Sequence, residues 1–157
     1  HAPDSPYQAL ILAAAGLDRL GISNQVTEVF VPPLMLPAPG QGALAAQCRS
    51  QDEALHALLS PLNHAPSHIA VEAERAFLRT LEAGCILPVG ALAAYEPELR
   101  QVHLMGRVLS LDGQQMITVE GTQSLVEPAY WLARDLGERL AQQALKQGAR
   151  ALLDGNS

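Results

Sequence analysis

Ser67–Cys85 reads SHIAVEAERAFLRTLEAGC. Ile69, Ala73, Ala76, Phe77 and Leu81 recur at steps of three and four, the spacing that lines one face of an α-helix. Ser67 is suited to cap the start of that helix and Gly84 to stop it. Beyond it the period changes. Three strand-like stretches follow, near 89–95, 101–111 and 115–123, and Asp112-Gly113 is placed as a hairpin turn between the last two. From about 125 to 153 the helical period returns. Leu132, Leu136, Leu140 and Ala144 form one stripe, with Ala129, Ala133 and Ala141 beside it, and Ser124 and Glu127 have the spacing of a capping box. Helix, three antiparallel strands, helix is a small α+β domain. Pro61–Pro66 is the best linker ahead of it, so residues 61–157 are expected to form this domain.

Upstream the pattern is of another kind. Tyr7–Ala15, YQALILAAA, is short, continuously apolar and bounded by Pro6 and Gly16, which reads as a buried strand. Gly16–Leu20 follows as a brief helical turn, and VTEVFV, residues 26–31, as a short strand ended by Pro32 and Pro33. LPAPGQG, Leu36–Gly42, is a Pro/Gly loop. Gly42–Cys48 is small and apolar, again a buried strand, and Asp52–Leu59 a short helix with Ala54, Leu55, Leu58 and Leu59 on one face. Residues 1–60 therefore read as α/β with too few strands to be complete. The chain opens on His1 and is expected to be a piece of something longer.

With 157 residues, 48% of them apolar and 17% charged, the chain can bury a core and is not expected to be disordered. The longest apolar run, Ala9–Ala15, falls far short of the roughly 20 residues of a membrane span. No basic stretch followed by an apolar one reads as a signal peptide. Ten basic against sixteen acidic side chains give a net charge of −6, which disfavours general nucleic-acid binding. Nine of the ten basic residues are arginine, whose rigid fork grips carboxylates as lysine cannot. Two cysteines, Cys48 and Cys85, make no disulfide framework and suit a reducing, cytoplasmic setting.

GQGALA, Gly40–Ala45, fits a loose dinucleotide-binding pattern, but a Pro-rich loop precedes it and no helix follows, so it reads as a tight turn. His64 and His68 are four apart, yet Pro66 separates them, and no metal site is expected. Glu72, Arg75 and Arg79 have the steps of helix-surface ion pairs. Cys48 lies in an apolar stretch and reads as a small buried side chain. Cys85 follows a helix C-terminus, the wrong end to stabilise a thiolate nucleophile, and no His is placed as its base. Arg19, in LAAAGLDRLG, stands where small residues open into a helical turn and suits a grip on an anion.

Taken together, ALILAAAGLDRLG, LPAPGQGALAAQCR, AERAFLRTLEAGC with its following Pro88-Val89-Gly90-Ala91, and the closing helix with QGAR resemble the porphobilinogen deaminase (hydroxymethylbilane synthase) family. The stretches come in the family's order and cover nearly the whole chain. Where the family commonly has Gly-Gly-Cys-Gln-Val-Pro, this chain has Ala83-Gly84-Cys85-Ile86-Leu87-Pro88, with the Cys retained. The resemblance implies a three-domain protein whose first two domains are periplasmic-binding-protein-like and enclose a cleft. Residues 1–42 would finish the second domain, 43–60 return to the first, and 61–157 form the third. The catalytic Asp and most cleft arginines belong to a missing N-terminal half.

In the family, porphobilinogen loses ammonia to give an azafulvene-like electrophile. The free α-carbon of a dipyrromethane cofactor attacks it, and four rounds followed by water give hydroxymethylbilane. By resemblance Cys85 is the thioether anchor of that dipyrromethane, Arg19 contacts its carboxylates, and Leu12 and Ala13 line its site with backbone. Gln41 and Gly42 match the loop that approaches the pyrroles, while Arg49 and Arg75 match recurrent positions read as structural ion-pair formers. The implied partners are porphobilinogen, the growing pyrrole chain and the N-terminal half. The full enzyme is expected to be a monomer, inactive without that half, and self-association is one expected outcome for the chain alone. The competing reading is a non-catalytic small-molecule binding module of periplasmic-binding type.

Overall fold

The computed structural model describes residues 6–82, 87–126 and 130–154. In chain order the elements are α1 (Ala14–Leu20), α2 (Glu53–Leu59), α3 (Ala65–Thr80), β1 (Val89–Glu96), β2 (Gln101–Leu109), β3 (Met116–Ser124), α4 (Tyr130–Lys146) and α5 (Ala149–Leu153), with single 3-10 turns at Ser23–Gln25 and Ser60–Leu62. Two compact units divide between Leu34 and Met35.

The second unit holds the core. Its sheet is a three-stranded antiparallel meander in the order β1-β2-β3, with Ala93 opposite Leu104 and Gly106 opposite Val119. Along β2 the side chains alternate strictly: Val102, Leu104, Gly106 and Val108 are buried and their neighbours half-buried. That period of two gives the sheet one apolar face. Helix α3 packs on β1, α4 packs on β3, and the two helices pack on each other. Ile69, Phe77, Leu81, Leu104 and Leu136 are among the fully buried side chains between these layers. The small α+β domain expected from the sequence is thus formed.

Two glycines permit this packing. A Cβ at Gly137 would meet the α3 backbone at Ala73 O and lie 2.9 Å from both Phe77 N and Ala76 Cβ. A Cβ at Gly106 would strike the Phe77 ring. Bare backbone at these positions lets α4 approach α3, and lets the Phe77 ring pack directly against β2.

Several boundaries differ from the sequence expectation for local reasons. Helix α3 starts two residues before Ser67, with Pro66 in its first turn, where a missing N–H costs nothing. Ser67 Oγ bonds His64 Nδ1 at 2.9 Å instead of capping. The helix ends at Thr80, before Gly84, which lies outside the described residues. Asp112-Gly113 is not a two-residue hairpin. The connection runs from Ser110 to Gln115, with Gly113 N–H donating to Ser110 O at 2.9 Å and Gly113 at φ +72°. Ser110 is buried, and its hydroxyl oxygen accepts from Gln115 N at 2.9 Å. The long closing helix is two helices, because Gly148 at φ +101° turns the chain and lets Leu152 and Leu153 reach the core. Ser124 ends β3 rather than capping a helix, and Glu127 and Ala129 lie outside the described residues.

Residues 6–60 depart most. No strand forms among them, although 7–15, 26–31 and 42–48 read as strands. Residues 14 and 15 instead open α1. Leu10, Ile11 and Leu12 are 60–74% exposed and Leu44 is 99% exposed. A strand needs a neighbouring strand to satisfy its backbone groups, and among the described residues no β-ladder includes these segments. In α2, Asp52 caps the helix by accepting from Leu55 N at 3.1 Å, while Leu58 points to solvent.

Candidate functional site

The best-defined feature outside the hydrophobic core is the turn in LPAPGQG. Gln41 N–H donates to Ala38 O at 3.0 Å, with Pro39 and Gly40 between them and Gly40 at φ +75°. Proline second and a positive-φ glycine third are what a type II turn requires. A second turn follows, with Ala43 N–H donating to Gly40 O at 3.2 Å across Gln41 and Gly42, the latter at φ +86°. Gln41 Oε1 accepts from Ala38 N at 3.2 Å. Gln41 and Gly42 are exposed, and space is open where a Gly42 Cβ would stand.

This turn is fastened to the α+β core at three points. Leu36 is buried and packs so closely on Gly90 that a Cβ there would lie 2.9 Å from Leu36 Cβ. Ala91 N–H donates to Pro37 O at 3.0 Å. Gly40 N–H donates to Glu74 Oε2 at 2.6 Å, while Glu74 Oε1 accepts from Ala93 N at 2.8 Å. Glu74 is only 6% exposed. Burial pushes its carboxyl above the usual range, and the two backbone N–H groups of Ala93 and Gly40 offset only part of that.

Glu74 is the residue that sequence reasoning missed. The signal was present: Ala70, Glu74, Phe77 and Leu81 are spaced four, three and four apart, which puts the acid in phase with buried side chains. The ion-pair reading of Glu72, Arg75 and Arg79 drew attention to the neighbouring positions instead. Glu72 pairs across to α4, with Arg134, and lies 3.7 Å from His68. Arg75 contributes only its charge to Glu72. Arg49 forms an exposed pair with Asp52 at 3.8 Å.

The other expected site residues are placed as follows. Leu12 is exposed, Ala13 occupies the residue before α1, and Arg19 is exposed in the last turn of α1 rather than near its start. The helix begins at Ala14, two residues earlier than the sequence pattern implied, which moves Arg19 toward the carbonyl end. Leu12, Ala13 and Arg19 belong to the first unit, and Gln41 and Gly42 to the second. Cys85 lies outside the described residues, two positions before Leu87, where the description resumes. Cys48 is a half-buried free thiol. His64 bonds Ser67, and His68 bonds Asn63 Oδ1 at 3.0 Å and stacks on Tyr130 with ring centroids 4.2 Å apart. Among the described residues no group of three or more His, Cys, Asp or Glu could hold a metal ion, and no helix is long and apolar enough to cross a membrane.

Comparison with known proteins bears on the whole chain. Residues 2–57 match the family model described as the dipyromethane cofactor binding domain of porphobilinogen deaminase. Residues 68–146 match the one described as its C-terminal domain. A porphobilinogen deaminase of Thermus thermophilus is 45% identical over 147 residues, covering 94% of this chain and 47% of the relative. One from a Synechococcus is 43% identical over 147 residues, covering 94% of this chain and 44% of the relative. One from Mycobacterium tuberculosis is 43% identical over 154 residues, covering 94% and 48%. The chain spans about half the length of the curated relatives it matches. Two adjoining matches in one order, over a formed α+β domain and the turn fastened to it, place this chain in the porphobilinogen deaminase family.

Proposed function

We propose that this chain is the C-terminal part of a hydroxymethylbilane synthase, which joins four porphobilinogen units into a linear tetrapyrrole in the cytoplasm. The observation that carries the reading is the pair of family matches in one chain, over residues 2–57 and 68–146. Residues 1–60 are assigned to the two cleft domains and 61–157 to the cofactor-attachment domain.

The residues present suit a dipyrromethane. The group bears carboxylates at one edge and flat rings at its faces. Arg19 offers an exposed guanidinium, and Gly42 leaves open space beside the exposed Gln41. Cys85 is assigned as the thioether anchor, a role that needs a stable bond and no lowered thiol pKa. When bound, the cofactor supplies the free pyrrole carbon onto which substrate units are joined. Within the first unit, Arg19 would hold carboxylates of the group in two-pronged fashion, and the backbone at Leu12 and Ala13 would face it by family correspondence; within the second, the Gly40-Gln41-Gly42 turn would let a flat ring approach the backbone closely. Proton handling at the reacting ring falls to the family's carboxylate in the N-terminal half.

The test is porphobilinogen consumption with that half supplied, fused or as a separate chain. Cys85→Ser should abolish stable cofactor attachment while leaving the α+β domain folded. Arg19→Lys should lower turnover about tenfold, since charge stays while the two-pronged geometry is lost. Unchanged kinetics in Arg19→Lys would return Arg19 to an ordinary surface charge.

A further inference from the structure

We propose that Glu74 is the positioning residue of the Gly40-Gln41-Gly42 turn, holding it on the helix that leads toward Cys85. The inference rests on the proposed function for the meaning of the turn, and on geometry alone for the attachment. One carboxylate bridges two backbone N–H groups 53 residues apart in sequence, Gly40 at 2.6 Å and Ala93 at 2.8 Å. The Glu74 side chain is 6% exposed; its bond to Ala93 is buried and its bond to the half-exposed Gly40 part-buried. A buried carboxyl among Ala73, Ala76 and Phe77 is costly to keep. A core position with no task would be occupied by an apolar side chain. Gly40 directly precedes Gln41, so its N–H bond to Glu74 fastens the turn to α3 one residue before the exposed Gln41. Helix α3, which carries Glu74, runs on to Thr80, five residues before Cys85. The carboxylate therefore ties the turn to α3, the helix that precedes Cys85 in sequence. Positioning of this kind acts on the reacting geometry rather than on substrate capture.

The experiment uses the chain joined to the family's N-terminal half, with Glu74→Gln and Glu74→Asp. Gln keeps the shape but presents an NH2 to one of the two donors, and Asp keeps the charge but shortens the reach. In both, amide exchange at Gly40 should speed about tenfold or more, while the centres of α3 and β2 stay protected. The kcat should fall about tenfold with KM little changed, Asp being the milder variant. If Gln fails to fold, Asp decides by the same readings. Unchanged exchange at Gly40 overturns the attachment. Faster exchange at Gly40 with normal kcat overturns the positioning role, as does uniform loss of protection with normal kcat in the folded fraction. Absence of porphobilinogen turnover in the unsubstituted protein would instead reject the proposed function, while the exchange at Gly40 still decides the attachment.

Discussion

Glu72 and Glu74 stand two residues apart on α3, and their carboxyl groups shift in opposite directions. For Glu72, burial acts upward, but the Arg134 hydrogen bond and the charges of Arg134, His68 and Arg75 together outweigh it, so the carboxyl titrates below the usual range. For Glu74, burial prevails over its two backbone donors, and the carboxyl titrates above it. The consequences for stability have opposite sign. The folded state binds the Glu74 proton more tightly than the unfolded chain does. Its contribution is therefore greatest below the ordinary carboxylate value and declines as pH rises from there through the raised value. The Glu72 contribution is present above the ordinary value and is lost as pH falls through the lowered one. Urea denaturation across the acid range should show both slopes. Glu74→Gln should remove the decline on rising pH, and Glu72→Gln the decline on falling pH. A Glu74→Gln profile parallel to the unsubstituted one would show that Glu74 titrates normally. At neutral pH, Glu74→Ala leaves two N–H groups without an acceptor and should cost about 1–3 kcal/mol.

Among the elements, those with partners inside the chain were legible in the sequence and those without were not. The alternation of β2 and the three-and-four spacing of α3 each bury a face against a neighbour that this chain supplies. Strand and helix therefore fall close to where the pattern puts them. Tyr7–Ala15 has the composition of a buried strand, but among the described residues no β-ladder includes it, and α1 takes up its last two residues. Gly137 carries no signal of its role in sequence, where a glycine within a helical pattern reads only as a local cost, whereas in the fold it admits the α3 backbone. Gly137→Ala should gain about 1 kcal/mol of helix propensity. Overpacking against Ala73 and Phe77 should outweigh it, for a net loss of about 1–3 kcal/mol. Gly106→Ala, directed at the Phe77 ring, should destabilise by a similar amount, and Phe77→Leu in the same chain should recover part of the loss. Thermal denaturation of the three variants checks both. A Gly137→Ala protein more stable than its parent would mean that α4 sits farther from α3 than described.

At the scale of the whole molecule, two kinds of surface coexist. The α+β domain is organised around a core, whereas upstream of it Leu10, Ile11, Leu12, Val29, Val31 and Leu44 lie largely open. Apolar surface of that extent marks an interaction face or an aggregation hazard. The chain by itself should not consume porphobilinogen and should self-associate in light scattering. With the family's N-terminal half added, exchange protection should appear across residues 7–48. A strictly monomeric chain protected throughout 7–48 would show that the first part is complete as it stands. The cofactor assignment was legible only through resemblance, since neither spacing nor local geometry distinguishes an anchoring cysteine from a structural one. Cys48 is a half-buried thiol in the stretch next to the turn, so the two cysteines are the direct alternatives. The decisive measurement is a peptide mass map of the active protein, with this chain and the N-terminal half together. The account predicts a dipyrromethane adduct on the peptide containing Cys85 and an unmodified Cys48. An adduct on Cys48, or an unmodified Cys85 in protein that turns over porphobilinogen, would contradict it.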